Sequence, residues 1–227
     1  MAGPFEGHQT AELREIASSF RGSFQTIEDM TLHFIREAIL RGILRPGERI
    51  QQDVIADLLG VSRMPVRSSL RKLESEGLVV FSTHRGSSVR RLSAKELAEI
   101  YDLRIMLETY ALEEAAKRLT PEVVKELGRI AKDLRQEKQS TRWIGHREQF
   151  YRRLYDLADL PRTSELIFKL RAEVGPYLVM RRVVEDPRGH AGVLEFLSAG
   201  DVVGAKQWLR DHLSAVSKEL QDLLEQE

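Results

Sequence analysis

The chain has 227 residues, and its 35 Lys and Arg balance its 35 Asp and Glu. The hydrophobic fraction of 42% and the charged fraction of 31% are typical of a folded globular protein and argue against disorder. The absence of cysteine excludes disulfide bonds, thiolate zinc sites and cysteine nucleophiles. The apolar runs are too short to cross a bilayer and the N-terminus does not resemble a secretory signal, so we expect a cytoplasmic protein without a membrane partner.

The basic residues are unevenly distributed along the chain. Residues 62–91 contain seven basic and two acidic residues, whereas residues 93–227 contain 22 basic and 24 acidic residues. A local excess of Lys and Arg is expected of a surface that binds a polyanion such as DNA.

The N-terminal part of the chain begins with a segment that has no clear pattern. We interpret residues 1–25 as a tail in which a short helix could form over residues 11–20. From Thr26 to Gly42, apolar residues recur every three to four positions, which predicts an amphipathic helix with Thr26 as its N-cap and Gly42 as its C-cap. The Arg-Pro-Gly-Glu sequence at residues 45–48 then predicts a turn.

Two short helices with a tight connection come next. The first is predicted over residues 52–59 and ends at Gly60, and the second runs to residue 76 with Ser62 as its expected N-cap. Arg63, Arg67 and Arg71 lie four residues apart and therefore share one face of the second helix. Two helices joined in this way, with a basic second helix, are typical of a helix-turn-helix.

A β-hairpin is predicted after the second helix. Its strands are Leu78–Phe81 and Val89–Leu92, and its basic tip contains His84, Arg85 and Gly86. From Ser93 onward the pattern is helical, with helices predicted over residues 93–119, 121–139, 143–158, 164–185, 187–199 and 201–226. The predicted fold is therefore mainly α, with a winged helix-turn-helix domain at residues 26–92 and an all-helical domain at residues 93–227.

The candidate DNA-binding residues follow from how a helix enters the major groove. The N-terminal residues of the second helix contact base edges, and residues farther along lie nearer to phosphate. The hairpin tip would reach an adjacent groove, where a glycine permits close approach of the backbone. An alternative is that the arginines form only a solvated helix face. The candidates are Ser62, Arg63, Met64, Arg67, Arg71, Lys72, Arg85 and Gly86.

Residues 26–92 resemble the winged helix-turn-helix of the GntR family of bacterial transcription regulators. The segments that match are ILRGILRPGERI, VIADLLGVSRMPVR, SSLRKLESEGLV and RGSSVRRLS. The helical remainder is similar to the FadR-like subfamily with its FCD domain, in the segments LRIMLETYALEEAA, FYRRLYDLADLP, HAGVLEFLSAGD and WLRDHL. The resemblance implies that Arg63 and Arg67 contact the operator and that Gly86 is the wing glycine. Asp53 stands where an operator-contacting arginine of the subfamily aligns.

The resemblance also implies an effector cavity in the helical domain. Many FCD domains hold a divalent metal there with one Asp and three His, but in this chain Arg147 replaces the Asp and Tyr151 replaces the first His. His190 and His212 match the remaining two ligands. Because two histidines beside a fixed cation make a poor metal site, we predict no tightly bound metal.

We expect Arg147 to take over the electrostatic role of the metal. A guanidinium group can hold a carboxylate effector bidentately, with hydrogen bonds from Tyr151, His190 and His212, and with Arg104 as a second cation. Other interpretations stay open: Arg104 could pair with Glu108 on its own helix, Arg147 could lie on a solvated face, and the two histidines could be ordinary packed residues.

The resemblance implies a sequence-specific transcription regulator rather than an enzyme. It would be a repressor that binds double-stranded operator DNA as a homodimer, with an affinity controlled by a small carboxylate effector. Three alternatives remain: a metal-dependent effector-binding regulator that uses His190 and His212, an enzyme that uses these residues as general acid and base, and a non-specific DNA-binding protein.

Overall fold

The computed structural model describes residues 7–19, 24–82, 86–137, 140–180 and 190–225. The chain divides into two compact units, Met1–Arg91 and Leu92–Glu227. The first contains a winged helix-turn-helix and the second is helical throughout its described residues, which confirms the predicted fold class. Among the described residues, no helix is long and apolar enough to cross a membrane.

In the part of the first unit that the structure describes, there are four helices and a two-stranded antiparallel sheet. In chain order these elements are α1 (Gly7–Ser19), α2 (Ile27–Leu40), α3 (Gln52–Leu59), α4 (Arg63–Ser75), β1 (Val79–Ser82) and β2 (Gly86–Val89). Helices α2 and α4 pack against each other, α3 crosses α4, and β1 packs on α4. The buried core includes Phe34, Ile35, Ile55, Leu70 and Leu73.

The helix boundaries of the first unit follow local chemistry. Thr26 caps α2, because its side chain accepts a hydrogen bond from the backbone N–H of Asp29. Gly60 ends α3 in the left-handed conformation, at a φ of 67°, which a residue with a side chain rarely adopts. Ser62 occupies the N-cap position of α4 as predicted, but its side chain makes no capping hydrogen bond. The N–H groups at the start of α4 are therefore not satisfied by this hydroxyl.

Helix α1 belongs to the core of the first unit. Leu13 and Ile16 are buried among the residues of α2 and α3, and Gln9 Nε2 donates a hydrogen bond of 2.9 Å to the backbone oxygen of Ile43. The sequence analysis allowed a short helix over residues 11–20 but placed it in a tail outside the folded domain. Only two apolar positions of α1 are fully buried, so its periodicity is weak in the sequence.

The wing differs from the predicted hairpin in its second strand. Strand β2 is Gly86–Val89 instead of Val89–Leu92, with Val79 opposite Val89 and Ser82 opposite Gly86. The prediction was wrong because the Gly-Ser-Ser sequence has no apolar alternation. The strand conformation around Ser87 is also stabilised along the edge of β2 that faces away from β1. There the Ser87 hydroxyl donates a hydrogen bond of 3.2 Å to the backbone oxygen of Ile50.

The described residues of the second unit form six helices. They are α5 (Ala94–Ala116), α6 (Pro121–Gln136), α7 (Ser140–Asp156), α8 (Pro161–Met180), α9 (Ala191–Ser198) and α10 (Val202–Glu225). The predicted capping box of Ser93 and Glu96 is present at the start of α5. Residues 181–189, where two of the predicted helices were to end and begin, lie outside the described residues.

One hydrophobic core fills the second unit. Helix α5 packs on α7, α8 and α10, and α6 packs on α7 and α9. The core residues include Leu112, Leu154, Ile167, Val174 and Leu213. Several polar side chains of α5, α7 and α8 are buried in the same unit, and they form the second of the two candidate sites.

Candidate functional site

Helix α4 presents one apolar and one basic face. Val66, Leu70 and Leu73 are fully buried, whereas Arg67 on the opposite side is exposed. Met64 is 72% exposed, although a long apolar side chain usually avoids water. Ser62, Arg63, Arg71 and Lys72 are exposed as well. All the residues of α4 and its N-cap that were predicted to contact DNA are thus accessible to a ligand.

The first residue of α4 is paired with an acid from α3. The Nε of Arg63 lies 2.5 Å from the Oδ1 of Asp53, and both side chains are more than half exposed. An exposed ion pair of this kind contributes little to stability. It does hold Arg63 toward α3, so an anion that binds this guanidinium group has to compete with Asp53.

Arg71 is also engaged within the unit. Its Nη1 lies 2.8 Å from Glu74 Oε2, and its guanidinium carbon lies 4.0 Å from the centre of the Phe81 ring. The side chains of Arg67 and Lys72, by contrast, make no hydrogen bond or ion pair with any residue that the structure describes. These two residues are therefore the cations of α4 most readily available to a ligand.

The wing contributes Gly86 to the candidate surface, whereas Arg85 lies outside the described residues. Gly86 begins β2 with a φ of 73°, and Arg49 lies beside it, about 4 Å from the position that a β-carbon would occupy. Arg49 pairs with Ser88 in an isolated β-bridge, so the base of the wing contains a cation that the sequence analysis did not single out.

A buried polar cluster lies at the centre of the second unit. Glu108 of α5 is fully buried and accepts three hydrogen bonds: from Arg104 Nε at 2.7 Å, from Arg171 Nη1 at 2.9 Å and from the Tyr155 hydroxyl at 2.7 Å. The pairing of Arg104 with Glu108, left open by the sequence, is therefore present. It occupies only one nitrogen of Arg104, since Nη1 and Nη2 are buried and find no hydrogen-bond partner among the described residues.

The electrostatics of this cluster are set by burial and by the arginines. Burial alone would raise the pKa of Glu108, but Arg104 and Arg171 outweigh it and hold that pKa at about 2. Burial likewise opposes the charge of Arg104, yet the Glu108 carboxylate keeps the pKa of Arg104 above its ordinary value. Glu108 and Arg104 are thus both charged at neutral pH.

Arg147 is buried as well, so it does not lie on a solvated face. It is 6% exposed, and its guanidinium carbon lies 5.7 Å from the centre of the Tyr151 ring and 5.8 Å from that of Trp143. Burial and repulsion by Arg171 and Arg104 lower its pKa to about 10, which still leaves it charged at neutral pH. Among the described residues, Arg147 has no ion-pair partner.

The structure brings Tyr151, His190 and His212 together next to this arginine. The ring centres of Tyr151 and His190 are 5.3 Å apart, those of His190 and His212 are 5.7 Å apart, and His212 stacks on Trp208. Burial and the charge of Arg147 lower the pKa of His212 to about 4 and the pKa of His190 well below its usual value. Both histidines are therefore neutral at neutral pH.

The donor set does not fit a divalent metal. No group of three or more His, Asp or Glu that could hold a metal occurs in the described part of the chain. The aspartate and the first histidine of the family's metal site are Arg147 and Tyr151 here, and a guanidinium next to two neutral histidines repels a cation. The arrangement favours an anion instead.

Arg171, Tyr155 and Tyr101 are site residues that the sequence analysis missed. Arg171 lies over the ring of Tyr151 at 3.7 Å, and Arg104 lies 4.6 Å from the centre of the Tyr101 ring. The sequence does contain a pattern that could have identified Arg171, because Arg171 shares one helical face with Ile167, Val174 and Leu178. All three of these apolar residues are buried. A cation in the apolar stripe of a helix marks a buried charge that needs a partner.

Comparison with known proteins assigns both units. The family model described as "Bacterial regulatory proteins, gntR family" matches residues 27–89, and the FCD domain model matches residues 99–215, more than half of the chain. An uncharacterized HTH-type transcriptional regulator of Bacillus subtilis, YdhC, is 29% identical over 203 residues, which cover 85% of this chain and 90% of that protein.

Two further proteins are informative, one because its name states a regulatory function and the other because its structure is solved. The gluconate operon transcriptional repressor of Bacillus subtilis is 36% identical over 96 residues, which span 42% of this chain and 39% of the repressor. The solved structure of McbR/YncC from E. coli superposes with a TM-score of 0.69 at 25% identity and covers 89% of this chain and 99% of its own. The proteins that this chain resembles are DNA-binding regulators rather than enzymes, and the chain belongs to the GntR family of bacterial transcription regulators, in the group with a C-terminal FCD domain.

Proposed function

We propose that this regulator is a repressor whose affinity for its operator is controlled by a small carboxylate effector in the helical unit. The observation on which this rests is Arg147, a charged side chain buried in that unit without an ion pair among the described residues. Burying an unpaired charge costs several kcal/mol. A site that keeps such a charge is suited to a ligand that neutralises it.

In this proposal α4 reads the operator. Arg63, Met64 and Arg67 lie near its N-terminal end and contact base edges, with Ser62 at the cap, while Arg71 and Lys72 contact phosphate. Arg85 and Gly86 of the wing approach an adjacent groove. The exposed basic face of α4 and the free side chain of Arg67 support these roles.

Two copies would bind the two half-sites of one operator. An apolar face of α5 supports a homodimer. Leu103, Met106 and Tyr110 lie on one side of the helix, and their side chains are 38%, 58% and 46% exposed. The similarity to the gluconate operon repressor supports repression. The largest change in operator affinity that the effector can cause equals the difference between its affinities for the two arrangements of the dimer.

The test measures binding of labelled DNA from upstream of the protein's own coding region by fluorescence anisotropy. A panel of small carboxylates is added to the full-length protein and to the variants Arg147→Ala and Arg129→Ala. Arg129 is an exposed residue of α6 and serves as the control. We expect at least one carboxylate to change operator affinity about ten-fold, a coupling of about 1.4 kcal/mol, and Arg147→Ala to abolish the change.

Two results would contradict the proposal. If Arg147→Ala keeps the full response, Arg147 does not bind the effector. If random DNA of equal length binds as tightly as the upstream DNA, the protein is a non-specific DNA-binding protein, since specific binding exceeds non-specific binding by about 10³-fold or more.

A further inference from the structure

The buried charges of the helical unit do not balance. Its described residues include three buried arginines, Arg104, Arg147 and Arg171, but only one buried carboxylate, that of Glu108. The described part of the unit thus buries two positive charges in excess. Each uncompensated ion in a protein interior is costly, so native structures normally pair such charges or bind a counter-ion.

Glu108 has little capacity left to neutralise the excess. Each of its two carboxylate oxygens already accepts hydrogen bonds, Oε1 from Arg104 and Oε2 from Arg171 and Tyr155. The pairing leaves donors unused, because the two terminal nitrogens of Arg104 and one of Arg171 are buried without a partner. These three N–H-bearing atoms point to an acceptor that the described residues do not supply.

Arg171 and Arg147 share one aromatic neighbour, the ring of Tyr151, while Arg104 lies over the ring of Tyr101. Arg171 lies 3.7 Å from the centre of the Tyr151 ring and Arg147 lies 5.7 Å from it. The hydroxyls of Tyr151 and Tyr101 are also buried, and no residue that the structure describes forms a hydrogen bond with them. Two forked cations are therefore available: the terminal nitrogens of Arg104 on α5 and the guanidinium of Arg147 on α7.

From this imbalance we infer that the effector is a small dianion, which presents two acid groups or one doubly charged phosphate to the arginines of α5, α7 and α8. Two negative charges cancel the excess of two positive charges, and a planar carboxylate matches the two terminal nitrogens of Arg104. The tyrosine hydroxyls accept or donate to the remaining polar atoms of the ligand. The inference rests on the proposed function, because it names the charge of the ligand that the same site binds.

One test of the charge excess needs no ligand. The full-length protein is dialysed exhaustively, and the melting temperature of the helical unit is compared with that of Arg147→Met, which keeps the apolar length and removes the charge. We expect the melting temperature to rise by about 4 °C, because an uncompensated buried charge is removed. Arg129→Met on the exposed face of α6 is the control and leaves the melting temperature unchanged. A fall of the melting temperature in Arg147→Met would show that Arg147 has a structural partner and would overturn the inference.

The second measurement compares ligands by titration calorimetry. Succinate and butyrate have the same four-carbon chain but carry two and one carboxylates, and inorganic phosphate is the third probe. We expect succinate or phosphate to bind wild type at least ten-fold more tightly than butyrate, and this ratio to fall at least ten-fold in Arg147→Met. Tighter binding of succinate than of phosphate indicates a dicarboxylate, and the reverse order indicates a phosphate monoester.

The outcomes separate the inference from the proposed function. If butyrate binds as tightly as both dianions and changes operator affinity, the effector function stands and the dianion inference is overturned. If none of the probes binds or changes the melting temperature, the inference fails. If in addition no carboxylate of the larger panel changes operator affinity, the proposed control by a carboxylate fails with it.

Discussion

Single residues show how far a sequence motif can locate a site. Arg147 stands out because the family pattern has an acid at its position, and the structure places it in the buried cluster. Arg171 and Tyr155 both donate hydrogen bonds to Glu108, but they lie 63 and 47 residues away from it in sequence and no motif joins them. Proximity of this kind is created by the packing of α5 against α7 and α8, which the sequence pattern does not specify.

At the same scale, Asp53 restrains Arg63, which we propose as a DNA contact. Replacing it with asparagine frees Arg63 from an ion pair of 2.5 Å and removes a negative charge from the surface that faces phosphate. We expect Asp53→Asn to tighten operator binding about three- to ten-fold at low salt. Asp57→Asn is the matched control, because Asp57 is exposed on the same helix and has no ion pair among the described residues. Equal gains in both variants, measured by fluorescence anisotropy, would show that net charge alone matters.

Elements differ in how clearly their sequence specifies them. The long helices of the second unit were predicted within a few residues because their apolar periodicity and caps agree, as at Ser93. Strand β2 was misplaced because its residues Gly86–Ser88 are small and polar, and their strand conformation depends on pairing with β1 and with the segment around Arg49. Helix α1 was underestimated for a similar reason, since its stability comes from packing rather than from its own pattern.

Packing of α1 leads to a prediction about the DNA-binding unit. Leu13 is 1% exposed in the core, whereas its neighbour Arg14 is exposed. We expect Leu13→Ala to lower the free energy of unfolding of the first unit by about 2–4 kcal/mol, because a buried side chain is lost and a cavity remains. Hydrogen exchange of the α2 and α4 amides measures this change, and the exchange of α10 amides should stay the same. Arg14→Ala is the control, and equal protection in all three proteins would mean that α1 does not stabilise the unit.

At the scale of the whole molecule, α5 connects effector binding with dimer formation, the two properties proposed for the helical unit. Arg104 and Glu108 lie on its buried face, while Leu103, Met106 and Tyr110 lie on its exposed face. A ligand that engages Arg104 therefore acts on the same helix that would form the dimer interface. Such an arrangement couples the site to the interface if the position of α5 differs between the two states.

The exposed face of α5 gives the prediction that tests this arrangement. Met106→Glu places a charge in the proposed interface, so we expect the dimer to dissociate about 100-fold more readily, a change of about 3 kcal/mol, and operator binding to weaken. Light scattering after gel filtration measures the mass against the 26.0 kDa of one chain. Leu166→Glu on α8 is the control, because Leu166 is 52% exposed and Met106 is 58% exposed. If Leu166→Glu separates the subunits and Met106→Glu does not, the interface lies on α8, and the connection through α5 between the ligand site and the dimer is excluded.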